Sequence, residues 1–176
     1  MSSFIVINGK DFPREGDIQR ELEQRHRDAM LDLVLAWGEL DGALGMLLSV
    51  ASGVSMADGA ERFAKRSGSA KLQDLCKAVR THPQGDQAAR MIRRHKKTYE
   101  QYSIPRNRIA HSKCIGFQLA DPDFILFAVF EKHDINELII DAIPIQLMAH
   151  ATRWGKSMTR VALKIVDQIA PIPEKC

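Results

Sequence analysis

The chain has 176 residues, of which 45% are hydrophobic and 27% are charged, the balance of one ordinary globular domain with its own core. No uninterrupted apolar run approaches the roughly 20 residues that cross a bilayer. The amino terminus lacks the basic start and apolar stretch of a secretory signal. We therefore expect a single domain over residues 1–176, no membrane partner and a cytoplasmic location.

The cysteines and histidines give no metal or disulfide pattern. Cys76, Cys114 and Cys176 lie far apart without CxxC spacing, which is typical of free thiols in a reducing compartment. The six histidines show neither HxH nor HxxxH spacing, and glycine-rich phosphate loops are absent. We expect no metal and no cofactor.

The amino-terminal part is predicted to be a long helix after a short lead-in over residues 1–16. The lead-in includes a candidate strand over 4–13. Apolar residues then recur at steps of three and four from Asp17 to Ala51, interrupted at His26, and predict one long helix or two collinear helices. One face of it carries three glycines: Gly38, Gly42 and Gly45. Each glycine costs roughly 1 kcal/mol relative to alanine, so we expect close approach of a second helix or protomer there, or else a kink.

Three further helices are predicted in the middle of the chain. Ser55 and Ser69 are suitable N-caps for helices over about 56–66 and 70–81. A third helix, over about 86–101, follows the stop signal of a His-Pro pair.

Strand periodicity then replaces helix periodicity. Residues 114–119 and 124–130 flank an Asp-Pro turn and predict a β-hairpin, with 137–143 as a third strand. A last helix is predicted over 144–169. The expected fold is mainly α: a helical bundle with a small antiparallel β-hairpin or three-stranded meander, the β-rich insertion 114–143, before the C-terminal helix.

Positive charge is concentrated in one segment. The net charge of the chain is +3, yet residues 90–113 contain eight Lys or Arg and one acid, Glu100, so this segment carries +7 and the remainder −4. The candidate nucleic-acid-binding residues are Arg90, Arg93, Arg94, Lys96, Lys97, Arg108 and Lys113. Such a basic stripe is suited to a polyanion such as RNA. A solvated helix face is the alternative interpretation.

The same segment holds residues that suit cleavage of RNA by its own 2′-OH, a reaction that needs no metal. Ser103 and Pro105 predict the start of a short helical turn, which would place free backbone N–H groups and a positive dipole end beside Arg106 and Asn107. Histidine titrates close to neutral pH, so His111 is a candidate general base. Arg106 is suited to stabilise charge on the transition state, and Asn107 to orient the histidine or bind phosphate.

Purely structural roles are the alternative for these residues. An ideal helix separates Arg106 and His111 by about 140°, so they converge only through the length of the arginine or an irregular turn. In a structural role, Arg106 pairs with Asp28 or Glu39 and His111 is satisfied in the core. A Cys–His nucleophile pair between Cys114 and His111 is a further alternative.

The segment Ile104-Pro-Arg-Asn-Arg-Ile-Ala-His111 resembles the Arg-x4–6-His motif of the HEPN superfamily (higher eukaryotes and prokaryotes nucleotide-binding domains). A polar residue directly after the arginine belongs to that motif, and Asn107 supplies it. The specific match covers these eight residues, and a general likeness in the order of helices spans about residues 17–170.

The resemblance implies a helical bundle that forms a homodimer with two motifs facing one cleft, and RNA or a nucleotide as ligand. Many members are metal-independent endoribonucleases of toxin–antitoxin, abortive-infection or phage-defence systems, so an antitoxin or operon partner is also implied. By position, Arg106 and His111 would be catalytic and Asn107 supporting. Ser112 departs from the glycine that often follows the histidine. Lys113 replaces the tyrosine of toxins controlled by nucleotidylation, which puts that control in doubt.

Two other functions remain open. One is a catalytically inactive HEPN-like module that binds a nucleotide, RNA or a protein, and the other is a structural dimerisation domain. The insertion 114–143 lies outside the minimal bundle and is a candidate for substrate choice or partner binding.

Overall fold

A computed structural model of the chain describes residues 4–6, 15–81, 85–129 and 138–169. The chain divides into two compact units. Unit 1 contains the described residues within 1–35 and 102–152, and unit 2 those within 36–101 and 153–176. The single domain over 1–176 stays a prediction.

The elements are, in chain order, β1 (Phe4–Val6), β2 (Ile18–Gln19), α1 (Gln24–Ala51), α2 (Met56–Phe63), α3 (Gly68–Ala78), α4 (Gly85–His111), β3 (Lys113–Gln118), β4 (Asp121–Val129), β5 (Leu138–Pro144) and α5 (Ile145–Ile169). Short 3-10 turns cover Glu15–Asp17 and Val79–Thr81. Helices contain most of the described residues, so the mainly helical class is confirmed.

Unit 1 holds a sheet whose described strands are ordered β1-β5-β4-β3-β2. Strands β3, β4 and β5 form the predicted antiparallel meander, which is therefore confirmed. The apolar pattern does not predict β2, which pairs antiparallel with β3. The short β1, which falls within the candidate strand over 4–13, pairs in parallel with β5, and residues 7–14 lie outside the described residues. Most of β4 is buried, from Ile125 to Val129, as expected for a central strand with a continuous apolar run.

Gly116 allows β2 to lie against β3. Its φ is 129°, in the region that favours glycine, and a Cβ at this position would collide with the backbone oxygen of Gln19. The register of the β3–β4 ladder shifts between Cys114 and Gly116, which is the pattern of a β-bulge.

Helix α1 begins at Gln24, so the predicted start at Asp17 is wrong. Ile18 belongs to a strand. The buried side chain of His26 accepts a hydrogen bond from a backbone N–H group at the start of the helix. The Glu23 N–H donates to His26 Nδ1 (3.1 Å), so the ring proton is on Nε2, which donates to the Pro122 carbonyl (2.7 Å). The interruption of the apolar pattern at His26 therefore marks the beginning of the helix.

The core of unit 2 is built from helices alone. Its buried apolar residues come from all five helices, and include Leu40, Leu44, Leu47, Leu48, Phe63, Leu72, Leu75, Ala89, Ala162 and Val166. Trp37 lies against Tyr99 and Trp154, with ring centroids 4.7 and 6.0 Å away. Trp37 is buried, so it belongs to the core of unit 2.

The starts of α2 and α3 depend on serine caps. Ser55 Oγ accepts the Asp58 N–H at 3.1 Å, as predicted. The predicted cap Ser69 is wrong: Ser67 Oγ accepts the Ala70 N–H at 3.3 Å, while Ser69 donates to Glu100. The helix already includes Gly68, so its cap lies two residues earlier than predicted. Gly68 packs closely against the Tyr99 ring, with which a Cβ at this position would collide.

Helix α4 runs without interruption from Gly85 to His111 and contains Pro105. The predicted end near Gln101 and the predicted new helical start at Pro105 are therefore wrong. An internal proline removes one helical hydrogen bond and costs about 3 kcal/mol or more. Pro105 is fully buried, so packing offsets this cost.

Helix α1 is the one helix in the described part of the chain that is long and apolar enough to cross a membrane, by length and composition alone. Half of its most apolar stretch is buried inside the protein, which is typical of a core helix.

Candidate functional site

The motif residues 106–111 form the last turns of α4, within unit 1. Because the helix does not begin at Pro105, the backbone N–H groups of Arg106 and Asn107 lie inside the helix. The end of a helix presents carbonyl groups and the negative end of the dipole, which favour cations over phosphate. The predicted phosphate site on backbone N–H groups is therefore wrong, and an anion near this motif must be held by side chains.

Asn107 and His111 are exposed and one turn apart, so they share a face of the helix. Arg106 is half-buried, and its Nη1 donates to Asn107 Oδ1 at 3.2 Å. Arg106 and His111 diverge by about 140° because the segment is regular α-helix. The helix thus pairs Arg106 with Asn107 and aligns Asn107 with His111, but within one chain it does not direct Arg106 and His111 to the same point.

The structural alternatives for Arg106 and His111 find no support in the described part of unit 1. Arg106 forms no ion pair with the residues described there, and Asp28 instead accepts a hydrogen bond from Gln24 Nε2 at 2.7 Å. His111 is exposed and is not satisfied in the core.

Arg108, between them, has a structural contact. Its Nε donates to Asp141 Oδ2 of β5, and the two side chains are only 24% and 13% exposed. This ion pair ties the end of α4 to the sheet and so fixes the orientation of residues 106–111. Asp141 was not predicted, although an acid at the centre of the apolar strand Leu138–Pro144 is itself a signal of a buried ion pair.

The other basic candidates occupy different surroundings. In unit 2, Arg90, Arg93, Arg94 and Lys97 are exposed, and their spacing places them along one side of α4. Lys96 is half-buried, with Nζ 3.5 Å from Glu100 Oε1. In unit 1, Lys113 is exposed at the start of β3.

The described thiols, Cys76 and Cys114, are free. Cys114 is half-buried, and burial raises the pKa of its thiol, which lowers the fraction of reactive thiolate at neutral pH. This disfavours the Cys–His nucleophile pair. Cys176 lies outside the described residues.

Across residues 4–6, 15–81, 85–129 and 138–169, no group of three or more His, Cys, Asp or Glu side chains could hold a metal ion.

Comparison with known proteins adds no relative: no protein-family description, no curated protein and no solved structure matches the chain.

Proposed function

We propose that this protein is a metal-independent endoribonuclease of the HEPN type, with Arg106, Asn107 and His111 as its active site. The observation that carries the proposal is that, in the described part of unit 1, neither Arg106 nor His111 forms an ion pair with an acid. His111 and Asn107 are exposed on one face, and the guanidinium of Arg106 is bound to Asn107 and to none of the acids described in unit 1. Exposed polar side chains that form no ion pair within the fold are available to bind a substrate.

In the proposed reaction, His111 accepts the proton of a ribose 2′-OH. The 2′ oxygen attacks the adjacent phosphorus, the bond to the 5′ oxygen breaks, and that oxygen takes a proton from solvent. The products are a 2′,3′-cyclic phosphate and a 5′-OH. Arg106 donates to the non-bridging oxygens as charge develops on them, and Asn107 holds the guanidinium in place.

We further propose a homodimer in which Arg106 of one protomer lies beside the partner's His111, with the two motifs facing one cleft. The divergence of Arg106 and His111 on a regular helix supports this arrangement, because a second protomer can supply the missing group. It also makes a sharp test possible. Inactive Arg106→Ala and His111→Ala proteins, mixed and allowed to exchange protomers, should regain about a quarter of the wild-type activity, since half of the dimers become mixed and each has one intact site. No recovery in a mixture shown to exchange would contradict the shared site.

The main experiment measures cleavage of single-stranded RNA by the purified protein in excess EDTA. Wild type should cleave and leave cyclic phosphate ends, whereas the Arg106→Ala/His111→Ala variant should not. His150→Ala is the matched control, because His150 is an exposed histidine on another helix of unit 1. Equal cleavage by wild type and the double variant would overturn the proposal.

In the cell, the proposed role is that of a cytoplasmic toxin or phage-defence effector with an antitoxin or operon partner. Induced expression of the wild type should then arrest growth, and His111→Ala should relieve the arrest. The insertion 114–143 is the segment we propose for substrate choice or partner binding.

A second candidate is a HEPN-like module that binds RNA, a nucleotide or a protein without cleaving. The divergence of Arg106 and His111 within one chain also favours this candidate. It predicts binding without turnover, and the exposed basic residues of α4 provide its test. Replacing Arg90, Arg93, Arg94 and Lys97 with glutamine should lower the salt dependence of RNA affinity, reducing the log–log slope by about 3, or roughly 0.7 for each phosphate that is no longer neutralised. An unchanged slope would show that this face does not contact RNA.

A further inference from the structure

A cleft in unit 2 lies between α1, α2 and α3 and has a volume of about 500 Å³. This is within the usual range for sites that bind small molecules. Most of its wall is apolar and includes Met46, Met56 and Phe63. Two charged residues, Asp41 and Lys71, also line it.

Lys71 is the unusual member of this lining because its side chain is only 3% exposed. Its Nζ donates to Asp41 Oδ2 at 2.7 Å and to the Asp41 backbone oxygen at 3.2 Å. An ammonium group has three N–H bonds, and within the described residues the third has no acceptor. A molecule in the cleft that accepts this third hydrogen bond would add a favourable interaction with a buried ammonium group.

Two glycines of α1 keep space open in front of the ammonium. A Cβ at Gly42 would meet no atom within 4 Å, and one at Gly45 would lie 3.9 Å from Lys71 Nζ. Neither glycine is needed for helix packing, in contrast to Gly59, where a Cβ would collide with Ser49. The absence of side chains at Gly42 and Gly45 therefore leaves a groove that ends at Lys71.

The charges select the polar end of a ligand. Asp41 already neutralises Lys71, so its carboxylate would repel a second anion, and Lys71 would repel a cation. An uncharged group that accepts from Lys71 and donates to the half-exposed Asp41 carboxylate fits both. A carboxamide has this combination of acceptor and donor.

We propose that the cleft binds an uncharged amphipathic carboxamide. Its carbonyl oxygen accepts from Lys71 Nζ, its N–H donates to Asp41, and its apolar chain lies along Met46, Met56 and Phe63. Methionine suits such a wall because its flexible side chain adapts to the shape of the ligand. This site is independent of the ribonuclease proposal.

The test uses three probes of equal chain length: octanamide, octanoate and octylammonium. Binding is followed by the NMR signals of the methionine methyl groups, with the exposed Met91 as an internal reference outside the cleft. Octanamide should shift the Met46 and Met56 signals with a dissociation constant of about 1 mM or below, a value expected for a ligand of this size. The other two probes should bind at least tenfold more weakly. Absence of saturable octanamide binding, or octanoate binding as tightly, would overturn the proposal.

Variants then place the probe in the cleft. Gly42→Leu should fill the groove and weaken octanamide binding at least tenfold, and it should fold because a Cβ at this position would meet no atom within 4 Å. Gly38→Leu is the matched control, since Gly38 is one turn earlier with equally open surroundings but outside the cleft lining. Lys71→Met keeps the apolar stem and should remove the preference for octanamide. If Gly42→Leu and Lys71→Met both bind like wild type, octanamide binds elsewhere and the proposal is wrong.

Discussion

Two histidines of unit 1 occupy opposite situations. His26, at the start of α1, is fully buried, both of its ring nitrogens are hydrogen-bonded, and its ring centroid lies 4.6 Å from that of Phe117. His111, at the end of α4, is exposed. A ring with both nitrogens engaged in the fold cannot take a proton from a substrate without losing one of these bonds, whereas an exposed ring can. We therefore expect His26 to determine stability and His111 to determine activity.

The largest expected effect is on catalysis by His111→Ala. If His111 is the general base, its loss should lower kcat for RNA cleavage by about 10²- to 10⁴-fold, the usual contribution of such a group. The free energy of unfolding should change by less than about 0.5 kcal/mol because the side chain is exposed. Kinetics and urea unfolding of the same preparation measure both quantities. A loss of stability comparable with the loss of activity would remove the distinction between the two histidines.

For His26→Ala we expect the main effect to be a loss of stability. This change removes the acceptor for the Glu23 N–H and the donor to the Pro122 carbonyl, and it leaves a cavity beside Phe117. The free energy of unfolding should fall by about 2–4 kcal/mol. Urea unfolding beside His150→Ala measures the difference, and a loss below about 1 kcal/mol would show that the buried bonds matter little.

A smaller effect is expected next to Phe117, at Gly116. Gly116→Ala introduces a Cβ at a φ of 129° and against the Gln19 backbone oxygen, so unfolding should become easier by about 2 kcal/mol. Gly53→Ala is the matched control, because Gly53 also has a positive φ (66°) but open surroundings. It should cost about 1 kcal/mol. Equal losses at the two glycines would show that backbone conformation, and not the contact with Gln19, sets the cost.

The smallest effect is expected close to His111, from Asp141→Asn. This change weakens the ion pair with Arg108 that ties α4 to β5, and both side chains keep some contact with solvent. We expect a loss of about 1–2 kcal/mol, between the values for surface and buried pairs. RNA cleavage should also fall, because the motif is less firmly oriented. Thermal unfolding measures the stability, and kinetics measure the rate of RNA cleavage. Unchanged stability would mean that Arg108 does not anchor the motif.

Prediction from the sequence succeeded where a pattern is local and repeats. Strands β3 to β5 and the end of α5 at Ile169 follow from apolar periodicity and from turn residues. Ser55 was identified as a cap because capping involves only neighbouring residues. Among the predicted site residues, Arg106, Asn107 and His111 were selected by motif, and the exposure of Asn107 and His111 came from the structure.

The tertiary structure decided the ends of two long helices. The sequence signals at Pro105 favour a break, yet α4 continues because that proline is buried and Arg108 is held by Asp141, 33 residues away. The start of α1 depends on His26, whose second partner, Pro122, is 96 residues away. Periodicity describes only near neighbours, so it determined the type of each main element. Long-range hydrogen bonds and burial determined where the helices end, that His26 is structural and that His111 is accessible.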